Sequence, residues 1–178
     1  MSLRLAIDGY NLIGATYGME MVHRDIEGVR DMLIKRLAEY RKVRAKEGAL
    51  RMTVVFDGTS SGRFSRGREM VAGIEVLFSR DGELADQLLK EMAREMREGL
   101  TIVTSDRDVA DYARRQESVV ISSDEFNGIL EMAAYADMKG LDMEDEDDSP
   151  PRVGGAKKGP ARRLSKEERK KKKRLKKL

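Results

Sequence analysis

A mostly apolar run, Leu3 to Ile7, stops abruptly at Asp8-Gly9-Tyr10-Asn11, and no other stretch constrains the fold as tightly. Such a run reads as a buried β-strand, and Gly9 lets the chain leave the sheet through a backbone conformation that other residues resist. Asp8 then stands at a strand's carboxyl end, with Asn11 about one turn further on. The same ending recurs. Met52-Thr53-Val54-Val55-Phe56 stops at Asp57-Gly58, and Thr101-Ile102-Val103-Thr104 stops at Ser105-Asp106-Arg107-Asp108. In an open parallel sheet the carboxyl ends of the strands share one edge, which is where such sheets bind ligands. Acids from three distant segments therefore become neighbours.

Between these strands the chain alternates. Gly14 to Arg24 reads as a loop, and Asp25 to Lys46 carries Ile26, Val29, Leu33, Leu37 and Tyr40 at helical spacing, with Gly48 as a stop. Gly58 to Gly67, rich in glycine and serine and holding Arg63 and Arg66 with Arg68 just beyond, reads as a mobile basic loop beside the acidic edge. Gly73 to Phe78 is a further strand, and Glu83 to Arg97 is a helix with Leu84, Leu88, Met92 and Met96 along one face. Asp86 falls in that helix's first turn. A short helix to Gln116, a strand Val119 to Ser122 and a helix Ser123 to Met138 complete the pattern, and Ser122 and Glu125 have capping-box spacing. Strands alternating with helices argue for a parallel α/β sheet.

From Asp142 the periodicity dissolves into an acidic run, Pro150-Pro151, Gly154-Gly155 and a lysine-rich end. Residues 1–141 thus read as one domain and 142–178 as an appendage, disordered or conditionally helical. Residues 157–178 hold 13 Lys or Arg against two Glu, whereas residues 1–156 hold 22 basic and 30 acidic groups. The tail makes the protein basic. A dense cationic run such as Lys170, Lys171, Lys172 and Lys173 binds nucleic acid through counterion release, although such tails also serve solubility or localisation.

Composition then restricts the chemistry. Cysteine is absent and His23 is the sole histidine, which excludes disulfides, thiolate nucleophiles and poly-histidine metal sites. No stretch approaches the roughly 20 apolar residues that span a bilayer, so a cytoplasmic protein without a membrane partner is expected. Reactivity must run on carboxylates. Asp8, Asp57, Asp86, Asp106 and Asp108 are hard oxygen donors of the type that Mg²⁺ or Mn²⁺ prefers. Gathered in one crevice they repel one another until a divalent ion compensates them, and such an ion assists phosphodiester hydrolysis. Taken singly, each acid is also a residue that caps helices or makes turns. Asp81 and Glu83 lie near Asp86, but Asp86 is fixed by a helix whereas Asp81 sits in a glycine-containing loop. The methionines at 32, 92, 96 and 132 read as core, and His23 as a loop residue without a special role.

Ile7-Asp8-Gly9-Tyr10-Asn11, Val55-Phe56-Asp57-Gly58, Ala85-Asp86, Val103-Thr104-Ser105-Asp106-Arg107-Asp108 and Ser122-Ser123-Asp124-Glu125-Phe126 together resemble the YacP-like branch of the NYN domain family, within the PIN-like nucleases. The resemblance covers residues 3–141. It implies a PIN-like three-layer α/β fold, with a central mostly parallel sheet flanked by helices and the disordered basic tail outside it. It also implies a Mg²⁺- or Mn²⁺-dependent endoribonuclease with Asp8, Asp86, Asp106 and Asp108 on the matching acidic positions. Asn11 would orient an acid or a substrate phosphate, and Asp57 would be a landmark beside the metal. Read from the residues themselves, Ser105 joins the edge as a nucleic-acid contact, and Arg63, Arg66 and Arg68 belong either to a solvated connection or to a clamp that grips a polyanion's phosphates. RNA is the implied partner, including messenger RNA on the ribosome.

Two other readings remain open from the residues. One is a non-catalytic RNA- or ribosome-binding module with a vestigial acidic pocket. The other is a haloacid-dehalogenase-like phosphatase with Asp8 as nucleophile, although that motif wants an acid where Tyr10 stands. No glycine-rich loop followed by Lys and Ser or Thr supports an NTPase.

Overall fold

The computed structural model describes residues 3–45, 48–58, 67–140 and 165–178. Six strands form one sheet in the order β3-β4-β2-β1-β5-β6: β1 (Leu3–Asp8), β2 (Leu50–Phe56), β3 (Gly67–Val71), β4 (Ile74–Phe78), β5 (Leu100–Val103) and β6 (Val119–Ile121). All pairings are parallel except the β3–β4 hairpin. The α/β architecture expected from the alternating pattern is therefore present.

Side-chain alternation along the strands splits the core in two. Leu5, Ile7, Val54, Phe56 and Val103 face α1 (Gly9–Tyr17), α3 (Ile26–Arg44) and α6 (Ser123–Lys139) on one side. Ala6, Val55 and Ile102 face α4 (Ala85–Met96) and α5 (Arg107–Arg115) on the other. The result is three layers. Strand order reverses at β1: the chain proceeds from β1 to β2 and β4 on one flank, then returns to place β5 on the other. Because α1 leaves β1 toward one face and α5 leaves β5 toward the opposite face, a crevice opens at their carboxyl ends.

Four local expectations need correction. Gly14 to Arg24 is not a loop: the Asp8 side chain accepts from the Asn11 backbone N–H and starts α1 at once, and Gly18, at φ +81°, separates it from α2 (Met19–Arg24). Gly9 does not take a positive φ. Its requirement is space, since an added Cβ would collide with the Phe56 ring. Gly67–Val71 forms a strand rather than the end of a loop, turned back by Ala72 and Gly73 at φ +50° and +80°, as a tight hairpin of the primed type demands. Residues 59–66, with Arg63 and Arg66, lie outside the described residues, as do residues 141–164. Met32 and Met132 are exposed rather than core, whereas Met92 and Met96 pack against the α4–α5 core.

The basic end also differs from a free tail. Residues 166–175 form α7 (Lys166–Leu175), opened by a capping box between Ser165 and Glu168, and α7 lies against β6. Leu175 packs on the core, Leu178 is 4% exposed, and the Tyr40 hydroxyl donates to the Leu178 carbonyl. Lys170 pairs with Glu98 at 2.6 Å and Lys171 with Glu125 at 2.7 Å. An apolar anchor and two ion pairs give this helix a place to dock, and it shields an edge strand whose backbone groups would otherwise stand open.

Candidate metal-binding and nuclease site

The end of β1, the start of α4 and the turn after β5 bring Asp8, Asp86 and Asp106 to this crevice. Asp8, 4% exposed, closes β1 and caps α1. One of its oxygens accepts from the Asn11 side-chain amide at 2.5 Å and from the Thr104 hydroxyl at 3.2 Å, and the other accepts from the Asn11 backbone at 3.1 Å. Thr104 in turn accepts from the Asp106 backbone N–H at 3.1 Å. One buried hydroxyl thus ties the end of β1 to the end of β5. Asp106 caps α5 by accepting from Val109 N at 2.9 Å, which fixes its carboxylate at the rim.

Asp86 reaches the same crevice from the first turn of α4. That helix is held against the edge by Asp57, which accepts from the Ala85 backbone N–H at 2.6 Å. Asp57 is therefore engaged as a helix anchor beside the cluster. Burial pushes the Asp86 carboxyl above its usual value, the charges of Asp106, Asp57 and Asp108 add to that, and Lys90 opposes them. Burial likewise raises Asp8 above the ordinary carboxylate range. The hydrogen bonds from Asn11 and Thr104 work against that rise, and the Asp86 charge reinforces it. Asp8, Asp86 and Asp106 are thus within electrostatic reach of one another, in linked pairs.

Asp108 stands apart from this trio. Its side chain is 74% exposed and is paired with Lys90, which holds its carboxyl below the usual value. Ser105 accepts from Ser123 N at 3.2 Å and so pins the start of α6 to the end of β5. Asp81 is exposed in a turn, and Glu83 is buried and accepts from Arg80 N at 3.4 Å. Arg68 sits on β3 and bridges to Glu75 at 2.5 Å. Lys170 and Lys171 are committed to the domain, while Lys172 and Lys173 are exposed on α7. His23 lies in α2 with Nδ1 2.9 Å from the Met19 carbonyl oxygen.

Two participants were not singled out from the sequence. Thr104 carried no signal beyond ending a strand. Lys90 lies four residues after Asp86, the spacing that puts two residues on one helix face. Beside the cluster, the Arg30 guanidinium lies 5.2–5.3 Å from the ring centroids of Tyr10, Phe56 and Phe78 and donates to the Tyr10 hydroxyl.

Among the described residues no three acids or histidines lie close enough together to cage a cation. The donor type and the raised carboxyls of Asp8 and Asp86 beside Asp106, only partly offset by Lys90, nevertheless suit Mg²⁺ or Mn²⁺. Mg²⁺ in particular keeps several waters and takes only one or two carboxylates, with substrate phosphates completing its shell.

A family model, the YacP-like NYN domain, matches residues 5–177. The chain belongs to the YacP-like NYN domain family. That match runs through α7, well past the residue-141 limit of the sequence resemblance. Two crystal structures of Rae1 (YacP) from Bacillus subtilis have the same architecture. A mutant form is 25% identical, with a TM-score of 0.59 over 76% of this chain and 79% of that one. A second structure is 24% identical, with a TM-score of 0.58 over 77% and 78%. No curated protein matches the chain at a significant level. An NYN domain of the YacP type is an RNA-related, nuclease-like domain. No helix among the described residues is long and apolar enough to cross a membrane.

Proposed function

We propose that this protein is a divalent-metal-dependent endoribonuclease acting in the cytoplasm, with Asp8, Asp86 and Asp106 as its metal-binding acids. The observation that carries the reading is the convergence of these carboxylates at the β1–β5 crevice, where the Asp86 charge raises the cost of ionising Asp8 and the Asp106 charge that of ionising Asp86. A Mg²⁺ or Mn²⁺ ion held there would neutralise that charge, orient a phosphodiester and lower the pKa of an attacking water.

The chain's own residues prepare the site. Asn11 and Thr104 hold both Asp8 oxygens at fixed angles, so no rotamer search precedes binding. Asp57 sets the approach of α4 and thereby of Asp86. Asp108, with Lys90, lies at the outer rim, where Lys90 is placed to meet a strand's phosphate once Asp108 releases it. Arg63, Arg66, Ser105 and the exposed lysines of α7 are further candidates for holding RNA, and messenger RNA on the ribosome is the proposed setting.

Asp106→Asn tests this cleanly. Asparagine caps helices as well as aspartate does, so the α5 cap survives while the charge is lost. Cleavage of RNA in Mg²⁺ or Mn²⁺ is expected to fall by 100-fold or more, on the scale of losing a principal catalytic group, with a thermal midpoint in chelator that does not fall. Full activity in the variant would remove the assignment. The non-catalytic alternative predicts RNA binding by the wild type without cleavage in either metal.

A further inference from the structure

The structure assigns a second nucleic-acid subsite to the end of the sheet opposite the acids. This inference rests on the RNA-cutting reading above. A groove of about 800 Å³ lies between α7 and the amino ends of the strands. Its cations are Arg4 on β1 together with Lys170, Lys173, Arg174 and Lys177 from the α7 segment. Lys170 is spent on Glu98, and Arg174 donates to the Glu98 carbonyl at 2.8 Å. Arg4, Lys173 and Lys177 have no carboxylate partner among the described residues, although the Arg4 guanidinium donates to the Met96 sulfur at 3.7 Å, and Lys173 and Lys177 are exposed. These three charges are available to an anion.

The rest of the lining favours RNA over an acidic polypeptide. Leu3, Met96 and Val119 supply an apolar floor, and a thioether beside a flat ring is a favourable contact. Glu95 lies on the wall without a partner among the described residues, so it can accept from the exocyclic amine of a base. An acidic peptide has only its backbone N–H groups to offer there and brings side-chain carboxylates up against Glu95 within a residue or two of them, whereas a base carries its amine on the edge away from the phosphate. Bases seated on the floor with phosphates at the cationic rim satisfy all of these groups together.

Position gives the groove its role. Arg4 and Asp8 stand at opposite ends of β1, about 13 Å apart along the strand at roughly 3.3 Å per residue. A nucleotide in the groove cannot present its own phosphate to the acids. The groove therefore tethers a remote part of a longer strand, or of a folded RNA, while another part is cut.

The test compares the full chain with Arg4→Gln/Lys177→Gln and with Lys35→Gln/Lys42→Gln, a control that removes equal charge from exposed positions on α3. Binding to a long unstructured RNA is measured in chelator across a salt series, with Mg²⁺-dependent cleavage followed in parallel. The groove pair should lower affinity several-fold and flatten the slope of log K against log salt by about 1.4, at about 0.7 per lost phosphate contact, while the control pair keeps the wild-type slope. Equal slopes in both pairs, or no change in either, overturn the subsite. So does stronger competition from poly-glutamate than from RNA at the groove. A wild type that binds with this dependence but cleaves nothing sinks the nuclease reading and leaves the groove standing. A wild type that cleaves, with the groove pair matching the control, does the reverse.

Discussion

Thr104 shows how much a single hydroxyl can carry here. It is 2% exposed, donates to Asp8 and accepts from the Asp106 N–H, so it joins two acids that reach the crevice from different strands. Thr104→Val keeps the volume and removes both bonds. Leaving the part-buried Asp106 N–H unpaired costs about 1 kcal/mol, the lower end of the usual range, and for the metal ligation proposed for Asp8, loosening a carboxylate's support typically costs about 10–100-fold in activity or metal affinity. Thermal unfolding and cleavage assays should show both losses, and Thr104→Ser should restore most of each. A variant that loses stability but keeps full cleavage would make Thr104 a folding residue only. The sequence made the acids legible because an apolar run ending on a carboxylate is an unusual ending. It could not make Thr104 legible, because a threonine closing a β-branched run looks like every other strand residue. Asp57 was legible as part of the edge, yet its engagement with Ala85 N depends on where α4 docks.

At the scale of elements, what was readable followed from periodicity, and what was missed followed from tertiary fit. β1, β2, β4, β5, α3, α4 and α6 lay close to their expected places because their apolar spacing is unambiguous. β3 was missed because Gly67-Arg68-Glu69-Met70-Val71 is exposed along most of its length, so no buried face marks it, and its turn uses Ala72 where asparagine or glycine would have signalled a hairpin. The α7 sequence is almost wholly charged, which fits a conditional helix but marks no buried face; its docking depends on Leu175, Leu178 and ion pairs to distant partners. That docking is testable. Leu178→Ala removes a buried side chain from the core that also holds Tyr40, and a loss of about 2 kcal/mol is expected from the usual range for such truncations. Chemical denaturation should report it as a lower midpoint with an unchanged slope, whereas a free tail would show no change at all. Gly9→Ala belongs at this scale too. It presses a methyl group into the Phe56 ring at the junction of β1 and α1, and overpacking of this kind costs about 1–3 kcal/mol in the same measurement.

Among the described residues, charge is sorted along the strand axis: Asp8, Asp86 and Asp106 gather where the strands end, and Arg4, Lys173 and Lys177, without carboxylate partners there, where they begin, beside Glu95 and Glu98. The acidic end carries a stability cost that can be measured. Burial and the neighbouring Asp106 charge lift the Asp86 carboxyl above its ordinary value, against the pull of Lys90. In the window above that ordinary value the folded chain keeps a proton that the unfolded chain has already released. Stability conferred by the protonated form is therefore lost as pH rises through the window, and at neutral pH the ionised group works against folding. Asp86→Asn relieves the repulsion, so in chelator it should raise the thermal midpoint at pH 7 and leave it nearly unchanged at pH 3. The effect should be about 0.5 kcal/mol, since a partly exposed charge is screened by solvent. Mg²⁺ or Mn²⁺ should reverse the order. A ligand bound only by the folded state adds about 2.7 kcal/mol at 100 times its dissociation constant. The wild type should gain that increment, and Asp86→Asn, with one charge fewer to offer, should gain much less. Equal shifts on adding metal, or a lower midpoint for the variant in chelator, would mean that Asp86 does not share the repulsion on which a cation site depends.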